Sequence, residues 1–538
     1  MWQTQRDGVL YLRLPSLDEV DPLFSEKKRL LHARNLHLIF ELLLPSPSGA
    51  LLEMLDQIVY AARILYLNEV EIYFIEDDDF GPFSPRNELQ SLNSLLAMLV
   101  PLLSNAKPEE LEALHELQKE TISMINKFSD QNIDEVIIEE FDTTVEELLL
   151  KWGESHGAKS KVKIAYFDGV GRGAVAAEDI EIGESVLEIP ETIIISEDLI
   201  RESDIFDVLN EWDGMTTDSM LLLWSMRERY NPASKFKNYF ATLPDTFNTG
   251  LSFGVDSLAV LQGTLVLEEL LQAKEHLWKQ YESLCLALCA WYPNIFPPEL
   301  YSWDKYLWAC ELWYSNSMKV VCTDGKLRTC LVPIAGFLNH SLCPHVINYG
   351  RVDAETKSLK LRLARKCKRG EQCYLSYGSL PGSHLVTFYG FIPKGDNPYD
   401  VIPLDFEATE SDDNQCLVIE TPITNHMLRG TWFSRSNKPH TFGLPPRLLT
   451  HLRSILKNSD MEHPEDANKD NERAVLETIN SIFESMKEGI GDIDNSNNCE
   501  DLSWDVKLAL RYKGIQLKIL SSVLSSCATG LKALGSNP

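Results

Sequence analysis

Three small constellations in this 538-residue chain could carry chemistry. The first is PIAGFLNHS, residues 333–341, where an apolar run ends in Asn339-His340-Ser341. A buried strand could deliver those polar side chains to a ligand, and the same residues could equally cap a turn. The second is Asp168-Gly169-Val170-Gly171-Arg172-Gly173, which follows the apolar IAYF. It invites a dinucleotide-site or Rossmann-type methyltransferase reading, in which glycines turn into a helix whose N-terminus faces the ligand. The next residues, AVAAEDIEIGESVLEIP, exclude that: they include β-branched residues, turn again at Gly183-Glu184 with no helix of useful length, and offer no P-loop lysine. The glycines instead let backbone approach backbone or ligand between two strands. The third is a set of 11 cysteines. No CxxC pair exists, so the common zinc spacings are missing; reduced, mostly buried thiols and no metal site are expected.

Composition narrows the partners. Lys plus Arg number 50 against 80 Asp plus Glu, a formal net charge of −30. Phosphate binding needs cations that displace counterions, so direct, non-specific nucleic-acid binding is not expected. A basic partner, such as a lysine-bearing protein segment, suits this charge better. The N-terminus shows no basic stretch followed by an apolar core, and no uncharged apolar run approaches membrane-spanning length. A cytoplasmic or nuclear monomer, with no membrane partner, is the expectation.

Five stretches of alternating texture follow one another along the chain. Residues 28–75 carry apolar residues at helical spacing, and 107–128 reads as an amphipathic helix opened by Pro108 and two glutamates. Asp77-Asp78-Asp79 marks a polar break. This front third, residues 1–140, reads as a helical packing or docking module without chemistry of its own. Near residue 160 the texture becomes strand–turn–strand. Helical periodicity returns from about 196 to 316. Strand signals resume at LVPIAGFLNH and continue through SLKLRLARKCKRGEQCYLSYG, where Leu359, Leu361 and Leu363 point inward behind a basic edge. EIGESV and KRGEQC look like two similar tight turns. From about 445 the chain reads as helical again.

The order of these parts carries a resemblance. LLLKWGESHGAK precedes GVGRGAVAAEDIEIGESVLEIP; then come YSWDKYLWACELWYSNSM, LVPIAGFLNHS, RGEQCYLSYG and LVTFYGFI. This succession resembles the SET-domain protein methyltransferases, in the zinc-free branch typified by the Rubisco large-subunit lysine methyltransferase. The resemblance spans about 145–525. It implies an α+β fold: a SET-domain β-fold with a pseudoknot over 141–405, interrupted by a helical insertion at about 196–305. A helical substrate-binding-like domain over 406–538 would follow, with the helical N-terminal region in front.

The resemblance also implies roles. S-adenosyl-L-methionine would be the cofactor and a protein segment with an exposed lysine the substrate. Backbone around Val170, Gly171 and Arg172 would meet the cofactor's amino-acid end. The Asn339 side chain and His340 backbone would hold its amino group and adenine, and Phe391 would stack on the adenine. Tyr377 matches the tyrosine at the methyl-transfer pore and Tyr389 the one lining the lysine channel. Histidine methylation is a close variant, and a SET-fold binding module with weak or lost catalysis is the alternative from another class.

Three departures stand out. Counting from Trp308, Asn316 takes the place of an arginine that reaches the cofactor carboxylate. The loop GSLPGSHLVTFYG lacks an asparagine and is one residue short. Gly336 stands where the Rubisco enzyme has a substrate-contacting aspartate.

Overall fold

A computed structural model describes residues 8–75, 83–128, 136–138, 141–406, 425–435, 441–456, 464–493 and 502–535. The Asp77–Asp79 break lies outside them. The first region opens with strand β1 (Val9–Arg13), helix α1 (Phe24–Ala33) and strand β2 (Ile39–Leu43). Helices α2 (Ser48–Leu65), α3 (Glu69–Phe74), α4 (Pro85–Asn105) and α5 (Pro108–Asn126) follow. The helix expected over 107–128 is therefore present. The purely helical reading of 28–75 needs correction, because Ile39–Leu43 pairs antiparallel with Val9–Arg13. A five-residue apolar run fits either period, and here the pairing decides.

The region that resembles a SET domain begins with α6 (Thr144–Ser155), β3 (Lys159–Ser160), β4 (Val162–Phe167), β5 (Gly171–Ala176) and β6 (Ser185–Pro190). The expected helical insertion supplies α7 (Glu197–Arg201), α8 (Phe206–Asn210), α9 (Thr217–Glu228), α10 (Lys237–Thr242), α11 (Val255–Val260) and α12 (Leu265–Trp291). Helix α13 (Trp303–Asn316) leads back into β7 (Ser317–Val321), β8 (Leu327–Leu331), β9 (Val352–Asp353) and β10 (Ser358–Arg362). The sheet order is β3-β6-β10-β9, with β4–β5 and β7–β8 as separate hairpins.

Leu359, Leu361 and Leu363 are buried as read. Their strand, however, lies between β6 and β9 rather than at an edge, so its basic residues do not guard one. The two similar turns are real. Gly183 and Gly370 both take positive φ (84° and 85°), and in each the following glutamate, Glu184 or Glu371, accepts a backbone N–H from three residues back. LVPIAGFLNH is not a strand beyond Leu331. Ile334 takes φ 72°, a conformation that β-branched residues rarely adopt, and Ala335–Phe337 form a single 3₁₀ turn.

Beyond the sheet, α14 (Gly382–His384) runs into a π-type turn, Leu385–Tyr389. Strand β11 (Ile402–Asp405) pairs with β12 (Asn425–Leu428), and α15 (Pro446–Ile455), α16 (Pro464–Ile490) and α17 (Trp504–Gly535) complete the chain. Residues 402–405, counted above with the SET region, thus pack in the C-terminal core beside Leu448, Ile479 and Val523. Helix α17 is long and apolar enough in composition to cross a membrane; here Leu508, Ala509, Tyr512, Ile519 and Val523 are buried in the fold.

One core runs through strands and insertion together, joining Ile164, Val186 and Leu361 to Leu223, Phe240, Leu284 and Leu312. The N-terminal region has its own core, yet that core includes Cys343, Ile347 and Ala364 from the SET region. Asn93 donates to the Ala364 carbonyl at 2.8 Å, and the Tyr399 hydroxyl lies 3.1 Å from both Glu71 Oε1 and Ser84 Oγ. Described residues of the N-terminal region therefore pack against the region that carries Cys343 and Ala364.

Candidate active site

Asn339-His340 is a crossing point of two chain segments. The Leu375 N–H donates to the Asn339 carbonyl (2.8 Å), the Ser341 N–H to the Leu375 carbonyl (3.3 Å), and the Ser376 N–H to the Val346 carbonyl (2.9 Å). On its other side the second segment reaches β5, where the Cys373 N–H donates to the Ala174 carbonyl (2.8 Å). Neither stretch forms a regular strand; parallel bridges pair His340 and Val346 with Leu375.

Side chains then lock this crossing. Asn339 Nδ2 donates to the Arg172 carbonyl (2.9 Å) and to Gln372 Oε1 (2.8 Å), which leaves Oδ1 as the acceptor the amide can offer a ligand. The last glycine of the cluster makes room for this: a Cβ on Gly173 would come within 2.6 Å of Gln372 Oε1 and 3.0 Å of Asn339 Nδ2. His340 Nδ1 accepts the Tyr377 N–H at 3.1 Å, so the imidazole acts as a brace. Burial lowers its pKa to about 4, keeping it neutral and an acceptor at pH 7.

Three aromatic rings meet beside it. Tyr377 stacks on Tyr389 with centroids 5.2 Å apart, and Phe391 stands edge-on to both at 6.3 and 6.4 Å. The Tyr377 hydroxyl donates to the Leu338 carbonyl at 3.2 Å, and Tyr349 donates to the Ser376 carbonyl at 2.7 Å. Burial raises the pKa of Tyr377 and Tyr389 and pushes Tyr349 up to about 12, so these phenols stay protonated. Gly390, between Tyr389 and Phe391, has φ 74°, and a Cβ there would lie 1.7 Å from the Asn248 carbonyl oxygen. The backbone of the insertion is pressed directly against the aromatic corner.

Val170, Asn316, Asn339, His340, Tyr377, Tyr389 and Phe391 all line one cavity of about 1300 Å3. Gly171 and Arg172 are not part of that lining; Gly169 is. Gly171 closes the β4–β5 hairpin opposite Phe167. The Arg172 guanidinium is committed to Glu146 (2.8 Å) and the Thr242 carbonyl and lies over the Phe337 ring. It is therefore held in place rather than offered in place of the missing arginine. Asn316 ends α13 and donates to Ser315 Oγ at 2.7 Å. A Cβ on Gly336 would sit 3.3 Å from Asn316 Oδ1, so two of the three departures are neighbours. The shortened loop is tied elsewhere: Asn397 donates to the Leu380 carbonyl (2.9 Å) and the Gly382 N–H to Asp400 (2.5 Å).

Sequence reasoning missed the wall made by Phe83, Ser84 and Pro85 at the start of α4, and the basic turns of α17. It also missed a buried trio, His345, Cys367 and Cys373, whose ligand atoms lie within 4.8 Å of one another. The imidazole there is already engaged: Nδ1 accepts the Tyr374 N–H (3.0 Å), Nε2 faces Glu371 (3.0 Å), and the buried Arg365 cation lies 3.4 Å from Nδ1. That pairing pins Tyr374 in the crossing and disfavours a second cation.

The profile of the SET domain matches residues 171–378. Those residues form a SET domain. The chain is 24% identical over 386 residues to the chloroplastic ribulose-1,5 bisphosphate carboxylase/oxygenase large subunit N-methyltransferase of Pisum sativum, covering 67% of this chain and 76% of that one. It is 24% identical over 293 residues to the Nicotiana tabacum protein of the same name, and over 275 residues to the actin-histidine N-methyltransferase of Gallus gallus. These last two matches span 57% and 45% of the relatives' own length, about half. Among solved structures, the SET domain of LSMT bound to lysine and AdoHcy matches with TM-score 0.52 at 20% identity, covering 73% of this chain and 93% of that chain. Rubisco LSMT bound to AdoMet gives 0.51 at 21%. The α+β SET fold follows from these likenesses.

Proposed function

We propose that the protein is a protein methyltransferase that takes its methyl group from S-adenosyl-L-methionine and gives it to a side-chain nitrogen of another protein, lysine first. The observation that carries this reading is the convergence of Asn339, His340, Tyr377, Tyr389 and Phe391 on one cavity of the SET domain.

The residues present fit such a cofactor. Asn339 Oδ1 is an acceptor suited to an ammonium group, the turn at Gly169-Val170 lines the same cavity, and Phe391 offers a ring face worth about 0.5–1.5 kcal/mol in stacking. Gly171 and Arg172 serve this corner indirectly, the former by turning the hairpin and the latter through its carbonyl. When bound, the cofactor supplies an already electrophilic methyl on a sulfonium.

The protein's own task is to position a neutral nucleophile and exclude water. A free lysine is neutral in only about one molecule in 2,500 at pH 7, a deficit of about 4.6 kcal/mol. Neither His340, neutral and engaged at Nδ1, nor the raised phenols is a ready base. The apolar aromatic corner lowers the amine's pKa by desolvation instead. Because the Tyr377 hydroxyl donates its hydrogen bond to the Leu338 carbonyl, its oxygen remains an acceptor for the amine N–H or for weak methyl CH···O contacts.

A histidine acceptor is the second reading, favoured by the match to actin-histidine N-methyltransferases. Transfer of labelled methyl groups into a cell extract, with the labelled residue identified by mass spectrometry, separates the outcomes. Labelled lysine supports the first reading and labelled histidine the second. No labelled protein, with no cofactor binding, leaves a SET-fold binding module.

A further inference from the structure

The cavity is larger than methyl transfer alone requires. Small-molecule sites run to about 300–1,000 Å3, and the volume here is about 1300 Å3. Asn339, Tyr377 and Phe391 occupy one part of its wall. Another part is built by residues 392–396, by Phe433 and Arg435, and by the first two turns of α17.

Four residues of that second wall are cationic: Lys394, Arg435, Lys507 and Arg511, all exposed. Lys507 and Arg511 are one helical turn apart and share a face with Trp504 and Leu508, which line the same cavity. Asp396, the one carboxylate among the described lining residues, is bridged to Lys518 at 2.5 Å. A chain of formal net charge −30 thus turns a basic wall toward its cavity.

Distance makes this reversal count. At physiological ionic strength exposed charges fade over about 8 Å. A segment inside the cavity therefore responds to these four cations more than to the acidic surface beyond. A protein segment whose acceptor residue lies against Tyr377 has flanks that pass this wall. Glutamate or aspartate in those flanks finds charge-assisted partners, and lysine or arginine is repelled.

We infer that this wall, Lys394, Arg435, Lys507 and Arg511, is a docking site for an acidic protein segment, so that substrates carry Asp or Glu beside the modified residue. The identity of the acceptor rests on the methyl-transfer reading above; the docking itself does not. The test uses the full chain and two fluorescein-labelled peptides, Glu-Glu-Glu-Gly-Lys-Gly-Glu-Glu-Glu and its counterpart with Gln for every Glu. Fluorescence anisotropy at low and high salt (about 50 and about 300 mM) reads the binding.

The Glu peptide is expected to bind about tenfold tighter at low salt, with the gap shrinking at high salt. Lys507→Gln/Arg511→Gln should remove most of the preference while the melting temperature and the S-adenosylmethionine Kd stay at wild-type values. Equal binding of the two peptides, or a preference undiminished in the double variant, overturns the inference. So does loss of cofactor affinity in that variant, which would assign the cations to the cofactor carboxylate. A wild-type chain that prefers the Glu peptide yet ignores S-adenosylmethionine would sink the methyl-transfer reading and leave the docking site standing.

Discussion

The two sides of the cavity are built differently. At Asn339 and Tyr377 the donors are braced: the Asn339 Nδ2 by Arg172 and Gln372, the Tyr377 backbone N–H by His340, its hydroxyl by Leu338. At Asn316 and Gly336 the groups are less tied, and α17 adds a basic face. Asn316 bonds only its neighbour Ser315 among its described contacts, Gly336 lacks a side chain, and Lys507 and Arg511 project outward from a helix. The first side keeps the pattern of the family it resembles, and the second holds the departures. A methyl donor of fixed shape demands a fixed frame, whereas a change of protein substrate is met by changing the other wall.

The largest expected effect comes from breaking the braced side at its tightest contact. Gly390→Ala must place a Cβ against the Asn248 carbonyl and hold a positive φ. It should cost roughly 2–4 kcal/mol, read as a lowered melting temperature together with loss of S-adenosylmethionine binding. A variant that melts and binds like wild type would show that the corner is looser than drawn.

Next is Tyr377→Phe, which keeps the stack on Tyr389 and removes one oxygen. Methyl transfer should fall about 10–100-fold while cofactor Kd changes less than about twofold. If affinity fell in step with rate, the hydroxyl would be serving the cofactor and the assignment to the acceptor would be lost.

On the less tied side, Asn316→Arg restores a cation beside Gly336, where the missing side chain leaves space. A charge-assisted pair with the cofactor carboxylate should tighten binding about three- to tenfold. Calorimetry checks this; weaker binding would mean that the wall no longer admits the family's arginine.

The last prediction is a pH dependence. Burial holds His340 at about 4, below its unfolded value of 6.5, so its contribution to stability is complete above about 6.5. It is lost as pH falls through the interval down to about 4. Measured against His340→Asn, which cancels carboxyls common to both such as Asp400, the wild-type advantage should shrink across that interval. A constant difference would mean that the imidazole is not buried neutral.

Much of the surrounding framework was readable because its signals are local. Alternating Leu359, Leu361 and Leu363, the glycines at 183 and 370, and the amphipathic run of α5 each follow from nearest-neighbour rules. The β7–β8 hairpin is also encoded locally, since Asp324-Gly325 sits between two strand-like runs. The crossing itself is not. Nothing in FLNHS or CYLSYG announces that Asn339 and Leu375 will share a hydrogen bond, and only the order of motifs pointed there. The contribution of Phe83–Pro85 to the cavity and the direction of the basic turns of α17 are long-range packing outcomes that no local pattern encodes.

The central claim is that the Asn339 crossing holds S-adenosyl-L-methionine. Isothermal titration of the full chain and of Asn339→Ala with that cofactor tests it most directly. Saturable binding by the wild type, and at least about tenfold weaker binding by the variant, is the result the braced acceptor predicts. No heat from the wild type at near-millimolar cofactor, or equal affinity in both proteins, would contradict it.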